Sequence, residues 1–198
     1  MKSENFSSMY RHSMAHILAK AVTEIFGKDN VQLAIGPQIE EGFYYDFLLP
    51  RSLTPDDFSV IESKMTEILK RKEDFVYREV SREEALNEFA DQKYKIELIR
   101  DLPEGEKISI YDTGADFKDL CRGPHVANSS ELLSCSFKIK AVSSAYWRGN
   151  EKNDILQRVY VMAFESKEEL KEHLNFLKEA KERDHKILGP QLDLFFMD

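Results

Sequence analysis

Two extended runs in the second half of the chain constrain the fold more than any other feature. "SFKIKAVSSAYWRG" and "ILQRVYVMAF" are rich in β-branched and aromatic residues, and the turn-prone "NEKND" separates them. This pattern predicts a long β-hairpin, and "VQLAIG" with "FYYDFL" predicts a shorter one around "PQIEEG". Hairpins give antiparallel pairs, and the helical patterns do not alternate with strands as in βαβ units. We therefore predict an α+β fold, an antiparallel or mixed sheet with packed helices.

The first helix is predicted over residues 9 to 26. Ser7 and Ser8 are suitable caps, and Gly27 is a suitable stop. At about 100° per residue, one apolar stripe is formed by Met14, Ile17, Leu18, Ala21, Val22 and Ile25. His12 and His16 lie on the opposite side, with small alanines beside them. The polar positions of the helix are Ser13, Lys20 and Glu24. We expect the histidine side to be half-buried.

Other helices and strands have clear boundary signals. Thr54 and Pro55 begin one helix, and "SREEALNEF" opens with a capping box. "KYKIELIRDL" predicts a further helix, and "FVYREV" and "KISIYDT" predict strands. Ser166 and Glu169 cap a last helix, which we expect to run to about His185. These elements complete the α+β pattern.

Length and composition exclude several classes of protein. A chain of 198 residues suits one large domain or two small ones, and it can bury a core without disulfides or metals. Only Cys121 and Cys135 are present, and no secretory pattern opens the chain, so a cytoplasmic protein is expected. No run reaches the roughly 20 apolar residues of a membrane span. The net charge of −8 argues against a domain that holds nucleic acid by its own field.

Two pairs of metal-type residues share one spacing. His12 and His16 stand four residues apart on the first helix, and Cys121 and His125 repeat this spacing in "DLCRGPHV". Thiolate and imidazole are ligands that zinc selects, although a lone HxxxH is equally typical of packed or surface histidines. A zinc protease of the HExxH type is excluded, because Ser13 follows the first histidine. A nucleophilic Cys121 remains an alternative to a water-based reaction.

Nearby residues have open roles. Asp119, two residues before Cys121, either orients an imidazole or is a solvated loop carboxylate. The other candidates are expected to be structural or superficial: Cys135 in the core, Tyr146 and Trp147 packed, and His173 and His185 on the surface.

Several motifs together resemble one family. "RHSMAHIL", "AIGPQIEEGFYYDF", "YKIELI", "DLCRGPHV", "AYWRG", "LQRVY" and "RDHKILGPQLDLF" follow one another as in bacterial threonyl-tRNA synthetase. The resemblance covers nearly the whole chain. It implies the editing fold shared with alanyl-tRNA synthetases over residues 1–165, and over residues 166–198 a linker helix leading to a catalytic core. It also implies hydrolysis of serine mischarged onto threonine tRNA, as part of threonine–tRNA ligase in protein biosynthesis.

The resemblance implies specific roles for seven residues. His12 or His16 would accept a proton, and Lys95 would hold the substrate or the developing negative charge. Asp119 would fix an imidazole tautomer, and Tyr45 is the expected wall of the substrate pocket. The implied catalytic set is His12, His16, Lys95, Asp119, Cys121 and His125, and the metal ligands, if zinc binds, are His12, His16, Cys121 and His125.

The resemblance also bears on cofactors and partners. Editing is expected to need no cofactor, while zinc at the four Cys and His residues stays open, because four protein ligands would close a tetrahedral site. ATP, magnesium and a further zinc belong to the aminoacylation core, which the sequence lacks before it stops at Asp198. A fragment that cannot charge tRNA is therefore expected. Its expected partners are the seryl-bearing 3′ end of threonine tRNA and the remainder of a synthetase that is homodimeric through its core, with no membrane.

Two other hypotheses stay open. A non-catalytic tRNA-handling or zinc-stabilised interaction module would explain the Cys and His residues as a structural staple. A stand-alone editing protein acting in trans is the other, although the apolar "LDLFF" near the end favours a fragment.

Overall fold

The computed structural model describes residues 4–182. Five α-helices lie in this range: α1 Glu4–Phe26, α2 Pro55–Lys70, α3 Arg82–Glu88, α4 Lys93–Asp101 and α5 Lys167–Glu182. The strands are β1 Gln32–Leu33, β2 Gln38–Ile39, β3 Gly42–Leu48, β4 Phe75–Val80, β5 Ile108–Thr113, β6 Phe117–Leu120, β7 Ser136–Tyr146 and β8 Ile155–Phe164.

The strands form two antiparallel sheets, which confirms the predicted α+β class. The larger sheet has the order β1-β3-β8-β7, with β2 also paired to β3, and the smaller one has the order β4-β5-β6. Both predicted hairpins are present, and the long one has a bulge between Ile139 and Ala141. Strand β6 was not predicted, because it is only four residues long and has no clear alternation of its own.

Helix α1 begins earlier than predicted and is more deeply buried. Ser7 and Ser8 lie inside it rather than capping it, whereas Gly27 ends it as expected, with a φ of 86°. The predicted apolar stripe belongs to the main core, which also contains Phe43 and Phe47 of the larger sheet and Phe75 and Phe117 of the smaller one. Because core residues of both sheets surround the helix, Ser13 and Lys20 are also buried, which the sequence pattern did not indicate.

Most remaining local predictions are confirmed. Helix α2 begins with a capping box between Thr54 and Asp57, and it buries Ile61, Met65, Ile68 and Leu69. Cys135 is buried, and Trp147 packs its ring 4.8 Å from that of Tyr94. Tyr146, which was expected to pack, is instead 46% exposed, because it stands at the end of β7.

The last helix lies against the larger sheet. The Ser166 hydroxyl accepts the Glu169 N–H at 3.2 Å, as predicted, and His173 packs on Phe164 rather than standing free on the surface. The predicted helix end near His185 and the apolar "LDLFF" lie outside the described residues. The division at residue 165 stays a prediction. Within residues 4–182, no helix combines the length and the apolar character that crossing a membrane requires.

Candidate functional site

A pocket of about 510 Å³ opens between the two sheets at α1. Six of the seven predicted site residues line it: His12, His16, Tyr45, Lys95, Asp119 and Cys121. The seventh, His125, lies directly behind them, with its Nε2 3.1 Å from Cys121 Sγ. Residues from α1, β3, α4, β6 and the loop after β6 therefore meet, although His12 and Cys121, for example, are 109 positions apart in the chain.

The two Cys and His pairs converge. Helical spacing places His12 and His16 on one side of α1, and their ring centroids lie 4.4 and 4.1 Å from that of His125. Cys121 Sγ lies 3.2 Å from His12 Nε2. One donor atom from each of the four residues lies within 4.8 Å of the others.

The loop after β6 needs glycine to bring Cys121 and His125 together. Gly123 has a φ of 68°, which disfavours any residue with a Cβ. A Cβ there would also stand 2.5 Å from the Tyr111 hydroxyl. The Gly123 N–H donates to Cys121 Sγ at 3.2 Å, so the turn itself holds the sulfur.

A chain of hydrogen bonds favours one arrangement of protons on the ring nitrogens. The Ser13 hydroxyl donates its one hydrogen to Met9 O at 2.9 Å and accepts the N–H of Val126 at 3.1 Å. With that hydrogen on Met9 O, the hydroxyl oxygen accepts from His125 Nδ1, which lies 3.1 Å away. His125 Nε2 is therefore unprotonated, and its lone pair accepts the Cys121 S–H.

The same chain reaches the pocket. The Cys121 S–H donates to His125 Nε2, so the Cys121 sulfur is free to accept the His12 Nε2–H at 3.2 Å. His12 Nδ1 is then an unprotonated nitrogen. His12 is one of the residues that line the pocket.

A second group is built on a buried ion pair. The Lys95 ammonium, in a residue only 2% exposed, lies 2.5 Å from Asp119 Oδ1 and donates to Ala34 O at 2.7 Å and to the Tyr45 hydroxyl at 3.2 Å. The Tyr45 hydroxyl donates to Asp119 Oδ2 at 2.6 Å. All three Lys95 donors are thus engaged. Lys95 acts on the pocket through its charge and by fixing Asp119 and Tyr45.

Asp119 stands between the two groups. Its Oδ2 lies 3.8 Å from His16 Nε2, which is too long for a direct hydrogen bond. The Leu120 N–H donates to its Oδ1 at 2.8 Å, so strand β6 holds the carboxylate. Asp119 is buried, not a solvated loop residue.

Burial keeps the histidines neutral and the thiol protonated. Desolvation lowers the pKa of His12, although Asp119 opposes this, and it lowers the pKa values of His16 and His125 further. Desolvation also raises the pKa of Cys121 to about 12. A metal-free Cys121 is then a thiol at neutral pH, which argues against its acting as a nucleophile.

The four Cys and His residues fit a zinc ion. Three imidazoles and one sulfur form a donor set that zinc selects, and their donor atoms lie within 4.8 Å of one another, so they would have to close slightly around the ion to form ligand bonds of about 2.0–2.3 Å. His16 Nδ1 is buried with no hydrogen-bond partner among the described residues, a cost that a nearby cation could offset. The Ser13 hydroxyl on His125 Nδ1 is the type of outer contact that orients a metal-binding histidine.

Sequence reasoning missed several residues that build the site. Ser13 stood between the two histidines but was interpreted only as a polar helix position. Gly36 and Pro37 line the pocket, and a Cβ on Gly36 would lie 2.1 Å from the Tyr45 ring. The "AIGPQ" turn was the signal that this backbone approaches another element closely.

Comparison with known proteins first defines the class. Residues 108–160 match the family model described as "Threonyl and Alanyl tRNA synthetase second additional domain". This segment runs from β5 into β8 and includes Asp119, Cys121 and His125. The matched family model therefore covers three of the residues that build the site.

The similar full-length proteins are more specific. The chain is 51% identical over 190 residues to the threonine–tRNA ligase of Thermotoga maritima, covering 96% of the chain and 29% of that protein. It is 49% identical to that of Sulfurihydrogenibium sp. and 50% identical to that of Geobacillus kaustophilus. The predicted resemblance to bacterial threonyl-tRNA synthetase is therefore confirmed. The chain spans about 30% of the length of these curated relatives.

Proposed function

We propose that the pocket hydrolyses the ester that joins serine to the terminal ribose of threonine tRNA. The main support is the convergence of six implied residues on one pocket, with His125 behind them. Similarity to threonine–tRNA ligases supports a role in tRNA charging or its correction. A role in protein biosynthesis implies a cytoplasmic protein.

A hydrolytic site of this kind is needed because binding alone distinguishes serine from threonine poorly. Serine lacks one methyl group of threonine, and one such group is worth only about 1–3 kcal/mol of discrimination. A second site that is too small for threonine removes the errors. The Tyr45 ring is fully buried and packs directly on Gly36, so it cannot move aside easily and is suited to be this wall.

In the reaction we propose, His12 Nδ1 accepts a proton from a water molecule while the water oxygen attacks the ester carbonyl carbon. The positive charge of the Lys95 ammonium favours the negative oxygen of the tetrahedral intermediate. The ribose oxygen then leaves and takes the proton back from His12. Serine and the free 3′ end of the tRNA are the products.

The polar chain behind His12 supports this step. The imidazolium formed on His12 keeps its Nε2–H on Cys121 Sγ, which Gly123 and His125 hold in place. His12, His16, Cys121 and His125 could hold a zinc ion. Bound zinc would supply Lewis acidity and a metal-activated water only if one of these four residues left its position open for the water.

Other parts of the proposal concern the longer relatives. We infer that the remainder of a synthetase delivers the tRNA, since a formal charge of −8 gives little attraction for phosphates. That remainder would bind ATP, magnesium and a further zinc for aminoacylation. It would also form the contact between the two subunits of a dimer.

The direct test uses serine and threonine esters of threonine tRNA. The chain should release serine and leave the threonine ester largely intact, while Tyr45→Ala should lose part of this selectivity and Tyr45→Phe, which keeps the ring, should retain it. Hydrolysis that persists after thorough chelation indicates a metal-free reaction, and hydrolysis that stops indicates bound zinc. Equal hydrolysis of both esters by the unmodified chain would refute the proposal.

A structural zinc module is the second candidate. The four-residue donor set favours it, because four protein ligands leave no position for water. In that case, zinc should raise the thermal stability of the chain, and no ester should be hydrolysed.

A further inference from the structure

A second pocket adjoins the first and is not used by the proposed reaction. It has a volume of about 190 Å³ and shares Leu98, Leu120, Cys121 and Arg122 with the larger pocket. The shared wall makes the two pockets neighbouring parts of one surface. A ligand that fills the first therefore lies next to the second.

The second pocket has an apolar floor and a basic rim. Leu98, Leu102 and Leu120 are half-buried around the fully buried Ile108. The side chains of Lys107 and Arg122 at the rim are 78% and 75% exposed. Apolar surface suits the face of a nucleobase, and exposed cations suit a phosphodiester.

Both rim cations have carboxylate partners that a phosphate would have to displace. Lys107 Nζ lies 2.5 Å from Glu79 Oε2, and Arg122 pairs with Glu106. Exposed ion pairs of this type contribute little free energy, so exchange for a phosphate is feasible. Arg122 lies on both pockets and therefore stands where a chain passes from one to the other.

We propose that the second pocket binds the penultimate nucleotide of the RNA, with the phosphodiester that links it to the terminal adenosine held by Lys107 and Arg122. The inference rests on the proposed function, which puts the seryl ester and its adenosine in the larger pocket. A pocket of about 510 Å³ lies in the usual range of roughly 300–1,000 Å³ for small-molecule ligands. The next nucleotide then falls on the adjoining surface.

The test compares two seryl esters with the full chain. One is seryl-adenosine, which has no phosphate, and the other is the seryl ester of a 3′-terminal trinucleotide. The measured quantity is the ratio of kcat/KM for the trinucleotide to kcat/KM for seryl-adenosine. Lys107→Gln should lower this ratio several-fold, and Lys107→Glu should lower it further.

Salt dependence gives an independent readout. Loss of one phosphate contact to a single strand should reduce the slope of log kcat/KM against log salt by about 0.7 for the trinucleotide ester. Lys138→Gln is the matched control, because Lys138 is also an exposed lysine paired with a glutamate and lines neither pocket. Its ratio and slope should equal those of the unmodified chain.

The outcomes separate the two proposals. If the unmodified chain hydrolyses neither ester, the proposed function fails. If it hydrolyses both, and Lys107→Glu changes neither the ratio nor the salt slope, the nucleotide site is wrong and the proposed function stands. The site is supported if the Lys107 variants have a lower ratio and a reduced salt slope while Lys138→Gln has neither change.

Discussion

Two lysines of this protein are buried almost equally, yet their surroundings differ. Lys20 is 1% exposed and Lys95 is 2% exposed. Lys20 reaches Glu73 at 2.7 Å, Asp116 at 2.6 Å and Thr113 O at 3.0 Å. Lys95 has one carboxylate partner, Asp119, together with a tyrosine and a carbonyl.

The difference lies in what the partners face. Asp116 is 63% exposed and Glu73 17% exposed on their side chains, so water reaches the Lys20 group from outside. Asp119 is only 4% exposed and lines the pocket with Lys95. Burial and ion pairing alone therefore do not identify a functional lysine. Lys95 is the stronger candidate, because both it and its carboxylate partner line the pocket of about 510 Å³.

The largest effect is expected from removing the proposed base. His12→Ala should lower the rate of seryl-ester hydrolysis by about 10²–10⁴, the range for loss of a general base. The double variant with His16→Ala should cost little more than the worse single change, because residues that act as one unit are not additive. Initial rates with folded variants check this, and full activity in His12→Ala would refute the role of His12.

Stability should separate the two lysines next. Lys95→Met leaves the Asp119 carboxylate buried without a cation, which costs about 3–5 kcal/mol. Lys20→Met should cost less than Lys95→Met, since Asp116 and Glu73 can turn to water. The free energy of unfolding in urea measures both. A larger loss for Lys20→Met would break the comparison.

Acid should act on the pocket before it acts on the Lys20 group. The pKa values of His12, His16 and His125 are lowered by burial, so below pH 6.5 the unfolded chain binds protons that the folded chain cannot. Stability from these groups is complete above pH 6.5 and falls as the pH decreases, by about 1.4 kcal/mol per pH unit for each proton.

The Lys20 group has a pKa shift in the same direction, but it acts at lower pH. Its ammonium lowers the pKa of Asp116, so that contribution is complete above the ordinary value of 3.8 and is lost only at lower pH. Urea unfolding of the unmodified chain at a series of pH values should thus weaken first below 6.5. His16→Gln should have a shallower slope there, and an unchanged slope would contradict the assigned cause.

The smallest expected effect concerns Ser13. Ser13→Ala leaves the buried Val126 N–H and His125 Nδ1–H without an acceptor, which costs about 1–3 kcal/mol. Ser63→Ala is a matched control, because the Ser63 hydroxyl also bonds the carbonyl four residues earlier but is exposed. Urea unfolding should show a small change for the control. Equal losses would mean that the hydroxyl does not fix the imidazole.

The sequence predicts most of the secondary structure and the site residues, but not the surroundings of the two buried lysines. Hairpins, helix caps and the apolar stripe of α1 follow local rules, and the HxxxH and CxxxH spacings with the family resemblance indicate the site residues. The burial of Lys20 and the hydrogen-bonded chain through Ser13 could not be predicted. Both depend on which strands cover α1 from the second sheet, and β6, which supplies Asp119, is too short to be detected by pattern.

Hydrolysis of seryl-adenosine by Lys95→Met and Lys20→Met tests the central claim most directly, at a temperature where both variants are folded. Lys95→Met should reduce kcat by about 10²–10³, the cost of losing a group that stabilises developing negative charge. Lys20→Met should change kcat little, because its ammonium lies outside the pocket lining. Equal losses in the two variants, or no loss in Lys95→Met, would contradict the assignment of the pocket as the reactive site.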